Sequence, residues 1–236
     1  MPDVPAVTVV PTMVSRELPK GRRYLAVSPP TSARSLPIVL LLHGDGGTAE
    51  SMRAFTGFDA ASGEGAHVAY AQVAHRYWGV GVEGGYDAER AYLADIVADL
   101  GRLRGADVTR VFVLGWSSGA SVAQSFACEH PEVAALTLVE ARGERPCAPG
   151  TKPRPILVVH NTRDTEHTVA DGDALVAGLR AARRCGPSPL PTLVSPCVGY
   201  SGCEAPLAYC RIEGGSHYPW KRTARVAWSF FSGSGP

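Results

Sequence analysis

The chain has 236 residues, 45% of them apolar and 19% charged, enough for one well-packed α/β domain over 1–236. With 23 basic against 22 acidic residues its net charge is +1, which argues against a polyanionic partner. No basic run with interleaved aromatics marks a nucleic-acid surface, and no stretch approaches the roughly 18 apolar residues of a membrane helix.

In chain order, residues 1–15 show neither a basic n-region nor an apolar h-region, so no export signal is read there. Residues 7–10 and 24–27 are short, β-rich and separated by Pro and Gly, as antiparallel entry strands would be. The run Ile38-Val39-Leu40-Leu41-Leu42 is apolar throughout, which predicts a strand buried on both faces of a parallel sheet. Thr48 is placed to cap a short helix ending at Phe55, and residues 68–71 read as the next strand. Leu93, Ile96, Val97, Leu100 and Leu103 recur at spacings of three and four. They predict a helix capped at Asp87 and stopped by Gly105. Residues 111–114 are strand-like, and a small-residue helix runs from there to His130 before Pro131 stops it. Residues 136–139, 156–159 and 207–212 predict three more strands, and 169–184 and 220–231 two more helices. Strand and helix alternate, so the expected fold is α/β, with a mostly parallel, doubly wound sheet.

The most informative junction lies inside this pattern. Val111-Phe112-Val113-Leu114 runs straight into Gly115-Trp116-Ser117-Ser118-Gly119, a Gly-x-Ser-x-Gly turn between strand and helix. Glycines flanking so sharp a turn leave room for it, and the turn lifts the Ser117 hydroxyl over a helix N-terminus. This is the nucleophile elbow of an α/β-hydrolase. In that fold an acid and then a histidine follow the serine in sequence. Asp164 lies in the exit loop of the 156–159 strand, and His217 follows the last strand. Asp171 and Asp173 remain alternatives for the acid, further on and closer to a helix. His217 would take the proton of Ser117 and pass it to the leaving alcohol, with Asp164 fixing its tautomer.

His43-Gly44-Asp45-Gly46-Gly47 follows the first buried strand. Its glycines allow backbone amides to approach a developing oxyanion, so the Asp45 and Ser118 amides are the candidate hole. His43 either lines the substrate site or braces this loop. Tyr77 and Trp78, in an aromatic loop, either stack on an acyl group or sugar ring or cover the edge of the core. Trp116, next to the nucleophile, is a candidate pocket wall.

These motifs together resemble a known group: the cap-less α/β-hydrolases that include polyhydroxybutyrate depolymerase-like and feruloyl or acetylxylan esterase-like proteins. The resemblance rests on Leu42-His43-Gly44, the elbow, His160-x-x-x-Asp164 and Glu213-Gly214-Gly215-Ser216-His217-x-Pro219-Trp220, and spans about 35–231. Two positions depart from it: Asp45, where relatives often carry a small or neutral residue, and Asn161, where glycine is usual. The resemblance implies ester hydrolysis without metal or organic cofactor, on a polyester or an acylated plant polysaccharide. A peptidase or thioesterase of the same fold, or an idle binding scaffold, is the alternative. A monomer is expected.

Six cysteines, at 128, 147, 185, 197, 203 and 210, complete the sequence evidence. None forms a C-x-x-C pair, which argues against structural zinc, and four lie in a Gly/Pro-rich stretch of weak periodicity. The alternative to disulfides is buried free thiols. The expected pairs are Cys128 with Cys147, Cys185 with Cys203, the latter also resembling the group above, and Cys197 with Cys210. They suggest an exported, extracellular or periplasmic protein.

Overall fold

In the computed structural model, residues 12–30, 34–143, 147–192 and 194–233 are described. The sequence builds a sheet whose middle is parallel: helices carry the chain back between β3 and β4, β4 and β5, and β5 and β6, while among the described residues the β6–β7 crossover holds no helix. Strand β3 (Leu36–Leu42) is buried along its whole length. It pairs in parallel with β4 (His67–Ala71) on one side and β5 (Ala106–Trp116) on the other. β6 (Val133–Val139), β7 (Ile156–Asn161) and β10 (Leu207–Ile212) continue in parallel. Both margins turn antiparallel. β1 (Thr12–Glu17) and β2 (Arg23–Ser28) close one, and β9 (Cys197–Tyr200) and β8 (Pro189–Pro191) close the other. The full order of this ten-stranded sheet is β1-β2-β4-β3-β5-β6-β7-β10-β9-β8.

The period-2 alternation of side chains explains how one strand serves two cores. Ile38, Leu40 and Leu42 face one layer, packed with Leu93 and Ile96 of α3 (Gly85–Leu100), Phe126 of α4 (Ser118–Glu129) and Leu179 of α5 (Val169–Ala182). Val39 and Leu41 face the other, with Met52 of α1 (Ala49–Thr56), Phe58 of α2 (Phe58–Ser62) and Val226 of α6 (Thr223–Phe231). The expected α/β architecture is therefore found.

Local signals fared unevenly. Thr48 caps α1, with Ser51 completing a reciprocal capping box. The α3 boundaries differ from expectation: Gly84 is its N-cap and Gly101 its C-cap. Asp87 lies within the first turn and pairs with Arg90 at 2.6 Å, where its charge complements the helix dipole. Gly105, at φ +85°, serves instead the turn into β5, which starts at Ala106. Helix α6 begins at Thr223, three residues after Trp220. Residues 7–10 lie outside the described residues, and β1 at Thr12–Glu17 is the strand that pairs antiparallel with β2.

All three expected disulfides are present: Cys128–Cys147, Cys185–Cys203 and Cys197–Cys210. The last joins residues that face each other across β9 and β10. The first ties the end of α4 to the chain after β6. The second pins the segment between α5 and β10, where no helix stripe or long strand holds the chain. Titration of the denatured, unreduced protein is therefore expected to find no free thiol. The 18- and 19-residue loops are each worth ~3 kcal/mol on the chain-entropy model, on the order of 10 °C in Tm per bridge lost to reduction. Six free thiols, or an unchanged Tm after reduction, would contradict this.

Candidate active site

The strand order β5-β6-β7-β10 places the C-terminal ends of these parallel strands along one edge. Ser117 follows β5, Asp164 lies just past β7, and His217 lies past β10. Residues up to 100 apart in sequence thus converge.

The elbow is tight. Ser117 sits at φ +55° and ψ −123°, a region non-glycine residues rarely occupy, and α4 begins at the next residue. The crossing of helix and strand explains the flanking glycines. A Cβ on Gly115 would lie 2.4 Å from the Gly119 carbonyl oxygen, and one on Gly119 2.5 Å from that of His43. Backbone cannot yield to either contact, so only glycine fits.

Ser117 Oγ is 2.8 Å from Nε2 of His217, whose Nδ1 is 2.7 Å from Oδ2 of Asp164. Asp164 Oδ2 can only accept, so Nδ1 carries the proton and Nε2 receives that of the serine. The other carboxylate oxygen accepts the amides of Glu166 at 2.8 Å and His167 at 3.0 Å. Burial alone would push Asp164 up, but the His217 bond and those amides outweigh it and hold the carboxyl below its ordinary value. It therefore stays ionised beside His217. Asp171 and Asp173 are committed elsewhere. Asp171 completes the Thr168 capping box of α5, and Asp173 accepts the Tyr209 hydroxyl at 2.8 Å.

The loop after β3 arrives beside the elbow, since a Cβ on Gly44 would lie 3.0 Å from that of Ser117. Among the described residues neither the Asp45 nor the Ser118 amide donates to a protein acceptor, whereas Gly46 and Gly47 donate to Arg76 and Gly44 carbonyls. The Asp45 side chain is exposed.

Two expected substrate contacts are corrected. His43 is fully buried: Nδ1 donates to the Gly44 carbonyl at 2.7 Å and Nε2 accepts the Val73 amide. Burial lowers its pKa, so the ring is a neutral brace for its loop. Trp78 is only 2% exposed and donates its indole N–H to the His43 carbonyl at 2.8 Å, so it belongs to the core. Tyr77 is exposed on the segment whose Arg76 carbonyl receives Gly46. Trp116 donates to the His217 carbonyl at 2.9 Å, anchoring that loop. Its ring also meets Phe55 and Tyr218, each at a centroid distance of 5.7 Å, and these two lie 5.2 Å apart. Both are exposed, forming an aromatic shelf beside His217 that sequence periodicity did not reveal.

Asp164 also belongs to a buried group in which sequence reasoning missed one member, Glu140. Glu140, His160 and Asp164 each place a potential ligand atom within 4.8 Å of the others. His160 Nε2 already donates to the His167 carbonyl at 2.9 Å, and Asp164 Oδ2 is bound to His217. A cation there would have to displace both bonds, so the donor set fits a hydrogen-bonded cluster better than a metal centre.

No protein-family model matches the chain. It is 28% identical over 153 residues to a protein of Nocardia uniformis subsp. tsuyamanensis named "Putative esterase NocK", an overlap of 61% of this chain but 44% of that one. The chain thus spans less than half of that relative. Among solved structures, an acetyl xylan esterase from Aspergillus awamori superposes with a TM-score of 0.69 at 18% identity, covering 93% of this chain and 98% of the other. S-formylglutathione hydrolase from Staphylococcus aureus gives 0.66 at 14% (94% and 98%), and a carboxylesterase from Mesorhizobium loti 0.64 at 17% (93% and 99%). The chain has the α/β-hydrolase fold.

Proposed function

We propose that the protein is a serine hydrolase of carboxylic esters. The observation that carries this is the continuous hydrogen-bond chain from Ser117 through His217 to Asp164. Ser117 Oγ attacks the ester carbonyl while His217 Nε2 takes its proton. The amides of Asp45 and Ser118 receive the oxyanion, and the carbonyl–alkoxy bond breaks as His217 returns the proton to the leaving alcohol. Water, deprotonated by the same histidine, then releases the acid and restores Ser117. Asp164 stays ionised throughout and stabilises the imidazolium.

The shelf of Phe55, Trp116 and Tyr218 supports a finer assignment: a flat or bulky ester group presented by a polymer, either a polyester or an acylated plant polysaccharide. Three disulfides fit a protein that matures outside the reducing cytosol, and no helix among the described residues is long and apolar enough to cross a membrane. The test is a fluorophosphonate label followed by a substrate panel of short and long acyl p-nitrophenyl esters, methyl ferulate and a polyester film. Labelling at Ser117 is expected. F55A and Y218A should raise KM about 2- to 10-fold for the aromatic esters, the worth of one aromatic contact, and leave the acetyl ester nearly unchanged. Equal effects on all esters would remove the shelf from substrate recognition.

A further inference from the structure

Glu140 immediately follows β6, fully buried, with a left-handed backbone at φ +47°. A charged residue type in that position needs partners, and the described residues supply donors but no cation. Its carboxyl accepts the Asn161 side-chain amide at 2.7 Å and the Asn161 backbone amide at 3.1 and 3.2 Å. The same Asn161 nitrogen lies 2.8 Å from the carbonyls of both Ser216 and Tyr218, which flank His217 on either side, so one of its two N–H groups serves Glu140 and the other is shared between those carbonyls. The fit is close, since a Cβ on Gly215 would lie 2.6 Å from Asn161 Oδ1. The Glu140 carbonyl accepts Nδ1–H of His167 at 2.6 Å, and the His167 amide is one of the two that hold Asp164.

We propose that Glu140 is a positioning residue for the Ser117 chemistry: a proton-bearing carboxyl that holds Asp164 directly and the His217 loop through Asn161. The inference rests on the serine-hydrolase assignment above. It makes the two loops that deliver acid and base share one buried post at the end of β6.

Proton accounting supports the neutral form. The titratable groups facing Glu140 are Asp164 from the β7 exit loop, His160 from β7, and His167, with His217 beyond Asp164. Asp164 is an anion. His160 Nε2 lies 3.4 Å from Glu140, but burial lowers its pKa, so that ring is neutral and offers no counter-charge. Burial, against the lowering pull of the Asn161 backbone amide and aided by the hydrogen bond and repulsion from Asp164, pushes Glu140 up to about 9. The two carboxyls share one proton, and Glu140 carries it. Because folding raises this carboxyl, the folded chain binds a proton that the unfolded chain releases. The stability it contributes is complete below the ordinary Glu range and is lost as pH rises through about 9.

The experiment compares wild type, E140Q and E140A by kcat and KM on p-nitrophenyl acetate across pH, by melting across pH, and by infrared spectroscopy. Wild type should show the C=O stretch of a protonated carboxylic acid at neutral pH and a fall in melting temperature as pH passes about 9. E140Q should lose both. E140A should lower kcat about 100-fold, the cost of a small misplacement of reacting groups, with KM little changed. E140Q, which keeps the donor and acceptor, should restore most of that loss. A drop in E140Q as deep as in Asp164→Asn, or an infrared band that survives E140Q, would overturn the proposal; so would E140A turning over like wild type. Should E140A fail to fold, the E140Q band and alkaline limb decide alone. Both are read without substrate, so a wild type that cleaves no ester would overturn the reaction and leave Glu140 judged on them.

Discussion

Ser117→Ala is expected to lower kcat on the order of 10⁶-fold, the scale seen when the nucleophile of a serine triad is removed. The reason is chemical: among the described residues only the Ser117 hydroxyl lies within hydrogen-bond reach of His217 Nε2. The fold should survive, because the φ/ψ of the elbow is enforced by the crossing of Gly115 and Gly119 and not by the hydroxyl. Rate and fluorophosphonate labelling should vanish together while circular dichroism and Tm stay close to wild type. A variant keeping more than about a thousandth of kcat would place the nucleophile elsewhere.

Asp164→Asn should cost about 10⁴-fold in kcat with KM little altered, since it spoils the tautomer and not the binding surface. An amide in place of Oδ2 can present an N–H to His217 Nδ1. The imidazole then has to protonate at Nε2, where it can no longer accept the serine proton. The loss of an acceptor for the Glu166 and His167 amides would be smaller, because Asn keeps one oxygen. Asp171→Asn and Asp173→Asn are the controls, since each serves a cap or a tyrosine hydroxyl. If either cut kcat as Asp164→Asn is expected to, the acid would be assigned wrongly.

What the sequence made legible follows from physical range. The elbow is a contiguous strand–turn–helix, so its glycines and serine announce themselves within a few residues. The buried run in β3 and the helical spacing in α3 carry their periods locally. The disulfide partners were legible only in part: Cys128 and Cys147 follow from neighbouring positions in the expected sheet and Cys185 and Cys203 from a loop-rich segment, whereas β9, which sets Cys197 opposite Cys210, carries no strand pattern. Glu140 and Asn161 gave no such signal. They meet only because β6 and β7 pair with Val139 opposite Val159, a register no local pattern encodes. Trp78 and His43 stayed open between site and core for a related reason: a loop has no period, so nothing in it says which way a ring turns. Boundaries failed where the chain breaks rules, as in β8, where Pro-Leu-Pro would not be chosen as a strand.

That short strand has a consequence for how the molecule behaves in a crowded solution. A sheet edge usually offers a row of unpaired N–H and C=O groups that can recruit a strand from another chain. Here the edge strand next to β9 is Pro189-Leu190-Pro191, and two of its three residues have no N–H to give. The one N–H of the strand, on Leu190, lies opposite Gly199 and is the only donor β8 has for its pairing with β9, so an incoming strand would find none on the outer side. The sheet therefore terminates in a segment that resists templating, and growth by edge-to-edge aggregation is blocked on the side that carries β10 and the loop of His217.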